Sequence, residues 1–266
     1  MTAVPLPSPP LMPEERQQVI LTRLAAGSRV LAADLAREFG TSEDTIRRDM
    51  RELAGAGRCR RVYGGVLPLA PAPRPLAERE GEATARKDAL AWVAAGLVVP
   101  GQTLIIDAGS TNAAIARALP TGLGITVVTN APAIATTLLD RPGIAVVMIG
   151  GPVDRTIGGS IGARAVRDLA LLRADLCFLG TCALDAEAGA AVFCFEDADF
   201  KRAVVAASTA VAIAVTSDKL GTTAPHIILD ARAVTHLIVE ADADPAALAG
   251  FDRTTTHIHS AGVAHA

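Results

Sequence analysis

From residue 78 onward the chain passes through six short runs that are aliphatic at nearly every position: TLIID (103–107), ITVVT (125–129), IAVVMIG (144–150), DLCFLG (175–180), VAIAV (211–215) and THLIVE (235–240). Apolar and polar residues do not alternate within them, so each reads as a strand covered on both faces. Helical patterns fill the intervals at 79–97, 111–119, 131–139, 163–172 and 196–207. Strands and helices taken in turn predict an open, mostly parallel α/β sheet of the Rossmann-like kind. The chain is 50% hydrophobic but only 3% aromatic, so its core has to be built from Ala, Val, Leu and Ile.

In such sheets a ligand sits beyond the carboxyl ends of the strands, and the polar residues of this region collect there. Asp107, Gly109, Ser110 and Thr111 leave one strand and open a helix, whose amino end and hydroxyls suit an anion, with Asp107 placed to accept from sugar hydroxyls. Thr129 and Asn130 end the next strand, Gly150 and Gly151 the third, and Gly180 the fourth; Lys219 follows the fifth. Glycine after a strand is also an ordinary turn residue, and a lone lysine is often just a solvated charge. The chain has only three lysines against 22 arginines, which makes a lysine after a strand less casual. Together these residues describe a pocket for a small, hydroxylated anion.

The first part of the chain follows another pattern. Within TSEDTIRRDMREL (41–53), Ile46, Met50 and Leu53 recur at helical spacing, which leaves Thr45, Arg47, Arg48 and Arg51 on the outer face. Thr41 or Ser42 is suited to cap this helix. Two shorter helical patterns precede it and stop near Gly27 and Gly40, which gives a helix, a tight turn and a second helix. Arg60 to Tyr63, a Gly64-Gly65 turn and Val66-Leu67 read as a hairpin wing. The whole chain carries a net charge of −3, yet between Thr45 and Arg61 six arginines (47, 48, 51, 58, 60 and 61) face only Asp49 and Glu52. The sequence thus predicts a winged helix-turn-helix unit that binds DNA through Ser42, Thr45, Arg47, Arg48, Arg51, Arg60, Arg61 and Tyr63.

The expected organisation is a DNA-binding unit over 12–67, a proline-rich linker over 68–77, an α/β unit over 78–245 and a tail over 246–266. The opening proline-rich residues 1–12 read as disordered and have neither the basic start nor the apolar core of a secretory signal. No stretch reaches the length of a membrane span, and a cytoplasmic location is expected. Cys59, Cys177, Cys182 and Cys194 form no C-x-x-C pair and read as reduced thiols. His257, His259 and His265 lie in what reads as a frayed terminus. No cofactor and no metal are expected.

Residues 15–66 resemble the DNA-binding domain of DeoR-family transcriptional regulators through LAREFGTS, TIRRD and RVYGG, in that order, with Tyr63 where the family usually has histidine and Arg58 where it usually has an apolar residue. The likeness continues in DAGST, TN, GG, GTCA, the stretch from Glu196 to Lys201, and SDKLG. It departs at 181–193, TCALDAEAGAAVF, which lacks the usual second glycine and the hydroxyl residue after Gly189. The resemblance implies a sensor domain like a sugar-phosphate isomerase in fold. It further implies a repressor of a sugar or polyol operon, with operator DNA and a phosphorylated sugar as partners. A palindromic operator adds the expectation of a homodimer or homotetramer. An activator of the same architecture, or an isomerase using Asp107, Glu196 and Lys219, are the alternatives.

Overall fold

The computed structural model describes residues 11–262 apart from 28 and 73. The proline-rich start over 1–10 and His265 lie outside the described residues. The chain divides into two compact units, one ending at Leu69 and the other starting at Ala70.

The first unit runs α1 (Pro13–Ala25), β1 (Val30–Leu31), α2 (Ala32–Phe39), α3 (Glu43–Gly55), β2 (Arg60–Val62) and β3 (Gly65–Leu67). Gly40 takes a left-handed conformation (φ 60°) that ends α2, and two residues later the Ser42 hydroxyl accepts the Thr45 N–H at 3.2 Å to start α3. Ile46, Met50 and Leu53 are buried against Ile20, Leu24 and Leu35, as their spacing requires. The wing has a third strand that local pattern did not reveal: β1 pairs antiparallel with β3. Gly65 permits this, because a Cβ there would stand 2.1 Å from the Val30 carbonyl oxygen.

Asp49 departs from the sequence reading, which set it among the surface arginines. Its side chain is 3% exposed and accepts from the Arg16 guanidinium at 2.7 and 3.2 Å, while Arg16 also donates to the Leu11 carbonyl at 2.7 Å. The pair fastens α1 to α3, so Asp49 does not screen the exposed arginines by direct pairing.

The second unit runs α4 (Leu76–Glu80), α5 (Thr84–Ala95), β4 (Thr103–Ile106), α6 (Ser110–Ala118), β5 (Ile125–Thr129), α7 (Pro132–Leu138), β6 (Ile144–Met148), β7 (Val153–Asp154), β8 (Gly159–Ser160) and α8 (Ala163–Leu169). It continues through β9 (Ala174–Phe178), β10 (Ala183–Asp185), β11 (Gly189–Val192), α9 (Phe195–Ala206), β12 (Ser208–Val215), β13 (His226–Leu229), β14 (His236–Glu240), α10 (Pro245–Leu248) and β15 (His257–Ala261). Seven strands form one parallel sheet in the order β15-β14-β12-β9-β4-β5-β6. Apolar clusters that include Leu90, Ile106 and Ile115 and Leu169, Phe200 and Ile213 form its core. A small antiparallel sheet, β10-β11-β13, and the β7-β8 hairpin complete the unit. Among the described residues no helix is long and apolar enough to cross a membrane.

Four expectations are corrected here. The helix expected over 79–97 is two helices, α4 and α5, separated at Ala83, which adopts φ 48°. The segment expected as a linker over 68–77 belongs to the second unit from Ala70 on: Ala70 donates to the Thr223 carbonyl at 3.0 Å and is buried with Ala183, Ala191 and Ala224. Residues 257–261 of the tail are not frayed, because β15 pairs with β14 from His257 to Ala261 and brings His257 and His259 beside His236. β6, expected to be covered on both faces, is an edge strand that leaves Val147 and Met148 exposed. Residues far apart in sequence decide the last three, and local periodicity does not report on them.

Removing one member of a buried ion pair strands the other, at a cost of about 3 kcal/mol or more. Asp49→Ala is therefore expected to lower the unfolding free energy of the first unit by about that amount and to speed hydrogen exchange in α1 and α3. Unchanged exchange would show that the pair contributes nothing.

Candidate functional site

β4 lies inside the sheet, and the chain leaves it through β5 and β6 on one side before returning to β9 on the other. The carboxyl ends of β4 and β9 therefore flank a topological switch point, where connecting segments diverge and leave a crevice. Asp107 follows β4 and Gly180 follows β9. Asp107 Oδ1 accepts the Gly180 N–H at 2.8 Å and the Asn112 amide at 2.5 Å, and Oδ2 accepts from the Lys201 ammonium, which α9 delivers. Asp197, one turn before Lys201, stands 3.6 Å from the same ammonium.

Asp107 is 1% exposed and the Lys201 side chain 3% exposed. Burial pushes the Asp107 carboxyl up to about 6 despite the opposing pull of Lys201. Burial also works against the Lys201 ammonium, but Asp107 and Asp197 outweigh it and hold the group above its ordinary value. The pair is thus ionised at neutral pH. Asp107 thus meets Lys201, Gly180 and Asn112 in the interior, where the sequence reading sets it to accept from a sugar hydroxyl.

Above this pair opens a cavity of about 400 Å³. Gly109, Ser110, Thr111, Gly180 and Lys219 line it, as does Asn112. The first turn of α6 presents its amino end there, and among the described residues the Ser110 and Thr111 hydroxyls make no hydrogen bond. Thr129, Asn130, Gly150 and Gly151 are not part of the lining. Asn130 is a brace: its side chain accepts the Ala108 N–H at 3.0 Å and donates to the Ser160 carbonyl at 2.9 Å. Thr129 accepts the Ala131 N–H at 3.1 Å, and the Gly151 carbonyl accepts the Ser160 hydroxyl at 3.1 Å. Gly150 lies next to Gly151, beyond the end of β6 at Met148.

The cavity also gathers residues that sequence reasoning did not assign to it. Lys87, Lys201 and Arg79 join the expected Lys219, so that all three lysines of the chain line it. Lys219 donates to the Thr181 carbonyl at 3.0 Å, and Lys87 donates to the Arg79 carbonyl. Burial, reinforced by neighbouring cations, holds both Lys87 and Lys219 below the ordinary lysine value. Lysine scarcity was a usable signal for Lys87 and Lys201 as well as for Lys219, because it applied equally to all three.

In the first unit the predicted DNA-facing residues lie as the helix spacing placed them. Arg47, Arg48, Arg51, Arg60 and Arg61 are exposed, and Tyr63 at the wing tip is 94% exposed. Arg47 pairs with Glu43 at 2.6 Å and Arg51 donates to the Arg47 carbonyl at 3.2 Å, while Arg48 has no ion-pair partner among the described residues. Ser42 is the cap, and its hydroxyl lies 2.9 Å from that of Thr45.

A family model described as the DeoR C terminal sensor domain matches residues 82–241, and one described as a DeoR-like helix-turn-helix domain matches residues 16–70. The chain belongs to the DeoR family. It is 30% identical to the glycerol-3-phosphate regulon repressor of Escherichia coli K12 over 78% of this chain and 82% of that protein. It is 31% identical to the HTH-type transcriptional regulator GlpR of Haloferax volcanii over 79% and 83%, and 29% identical to the HTH-type transcriptional regulator GolR of Listeria innocua over 86% and 91%. The solved sorbitol operon regulator SorC from Klebsiella pneumoniae aligns over 79% of this chain and 96% of its own at 12% identity and a TM-score of 0.34, a likeness too slight to carry an argument.

Replacing Lys201 by methionine leaves Asp107 buried without its counter-charge. Lys201→Met is expected to destabilise the DeoR sensor unit by about 3 kcal/mol or more at neutral pH. A carboxyl raised on folding binds more protons folded than unfolded, so stability falls as pH rises from its ordinary value to its raised one. For wild type that window ends near the Asp107 value of about 6. In the variant it extends higher, so the melting-temperature deficit should be larger at about pH 8 than at about pH 5. An equal deficit at both would show that Asp107 does not depend on Lys201.

Proposed function

We propose that this DeoR-family protein represses a sugar or polyol catabolic operon and that a phosphorylated sugar in the cavity of the second unit modulates its hold on operator DNA. The convergence of all three lysines and Arg79 on a cavity that also receives the amino end of α6 supports this reading most directly. Lys201 is neutralised by Asp107 and Asp197, which leaves Lys87, Lys219 and Arg79 for a ligand anion. A phosphate monoester matches that surplus, with its oxygens also within the chemistry of the Ser110 and Thr111 hydroxyls.

The first unit supplies the readout. Arg48 is the guanidinium most available to a guanine edge, since Arg47 is paired along the helix; Arg60 and Arg61 on the wing suit phosphates. Effector binding shifts the balance between operator-bound and released arrangements by its differential affinity for the two. A symmetric dimer or tetramer suits a palindromic operator in the cytoplasm. The isomerase alternative is weakened because Asp107 and Asp197 are committed to Lys201, and Glu196 points to Cys194 and is not part of the cavity lining.

Arg48→Ala is expected to weaken operator binding by about 1–3 kcal/mol and relax base preference at one position, as measured by fluorescence anisotropy at fixed salt. Lys219→Ala should leave operator affinity within about twofold and abolish the effector response. A full response in Lys219→Ala would overturn the pocket assignment.

Effector affinity should also be bell-shaped in pH. It rises as the phosphate becomes dianionic near a pKa of about 6, and it declines as Lys87 and Lys219 lose protons at their lowered values. Calorimetry in buffers of different ionisation heat should show net proton uptake on the alkaline side. Proton release there would contradict the assignment of the lysines.

A further inference from the structure

The second unit begins at Ala70, and its first residues run along one side of the cavity. Pro71, Ala72, Arg74, Arg79, Glu82 and Ala83 line it there. This stretch is fastened lightly. α4 fully buries one side chain, Leu76, which sits over Gly158, where a Cβ would stand 2.0 Å from Leu76 Cδ2. Past α4 the backbone turns through Ala83, alone among the described non-glycine residues in having a positive φ, 48°. An alanine keeps that conformation only while its surroundings hold it, and an element with few buried contacts opens more readily than the sheet behind it.

Two fastenings lead from this stretch to cations of the cavity. Arg79 donates through Nε to the Arg74 carbonyl and through Nη2 to the Thr156 carbonyl, each at 2.8 Å, and its own carbonyl accepts from Lys87. Both side-chain partners are neutral, and Arg79 has no ion pair among the described residues. Burial is the main influence on Lys87, Lys219 and Asp197, and the Arg79 charge is a further one on each. At the other fastening, the Ala70 N–H donates to the Thr223 carbonyl at 3.0 Å, and the neighbouring Thr222 hydroxyl donates to the Lys219 carbonyl at 2.7 Å. The guanidinium and the Lys219 ammonium therefore line one cavity, each tied to the segment that leads back to the first unit.

Resting on the reading of this cavity as an anion site, we infer that its ligand draws Arg79 and Lys219 together and clamps the segment around α4, which is the strap through which occupancy reaches the DNA-binding unit. Arg79 joins ligand to strap, since the donors it does not spend on carbonyls suit a phosphate oxygen. Leu76 is a positioning residue that keeps the strap on its seat. An anion that favours the clamped arrangement shifts the balance toward it, and by reciprocity operator DNA changes the anion's affinity by the same factor.

The test uses the full chain with inorganic phosphate as the probe, at an ionic strength held constant with chloride. It reads hydrogen exchange, and phosphate affinity with and without an operator fragment. In wild type, phosphate should slow exchange about tenfold in both α4 and the first turn of α6, and operator DNA should change phosphate affinity about fivefold or more. Leu76→Ala should bind phosphate within about twofold of wild type, yet protect only α6 and lose the effect of DNA. Arg79→Gln should weaken phosphate binding about tenfold and also lose the effect of DNA. Slowed α6 with unchanged α4, a wild-type phosphate affinity indifferent to DNA, or Leu76→Ala coupled to DNA as strongly as wild type would each overturn the inference and leave the anion site standing. Phosphate that slows neither segment would remove the anion site itself, and this inference with it.

Discussion

A carboxylate and an ammonium, both almost wholly removed from water, meet at the point where the parallel sheet changes direction. Asp107 comes from the end of β4, Lys201 from α9, and the Gly180 N–H from the end of β9 closes the arrangement. Charges in such a place are tolerated only when paired and hydrogen-bonded. Because its members come from three separate elements, the pair fixes how β4, β9 and α9 meet. The cavity floor is therefore electrically settled.

All the lysines of the chain lie in the second unit, whereas the cationic side chains of the first unit are arginines. The first unit presents arginines on its outer face, while the three lysines of the chain all line the cavity of the second. Guanidinium stays charged at any accessible pH and forms a planar fork that matches guanine edges and phosphates on an exposed surface. An ammonium is compact and shifts its pKa when buried, so its charge responds to what occupies the cavity. Burial holds Lys87 and Lys219 below their ordinary value.

The histidines at the far edge of the sheet show how late a structural role can be decided. His257 and His259 sit in a segment with no strong strand pattern, yet β15 extends the sheet there and stacks His257 on His236 with ring centroids 5.5 Å apart. An exposed edge of β14 is a row of unpaired backbone groups, and a seventh strand satisfies them. Pairing of that kind depends on what is left open by the rest of the sheet.

Much of this protein was legible from residue order alone. Spacing within TIRRDMREL set which arginines face outward, Gly40 and Ser42 marked the turn, and aliphatic runs marked six of the seven strands of the sheet. Such features depend on neighbours within one or two turns, so the sequence carries them directly. Folding decided the rest: that Asp49 pairs with Arg16, that Asp107 is consumed by Lys201, that Asn130 braces a loop, and that lysines 87, 201 and 219 share one cavity. Each of these joins residues tens of positions apart, and no local pattern encodes which distant side chain will arrive. Residue types told what chemistry was available, and only the packing of strands and helices determined which of those groups remained free to use it.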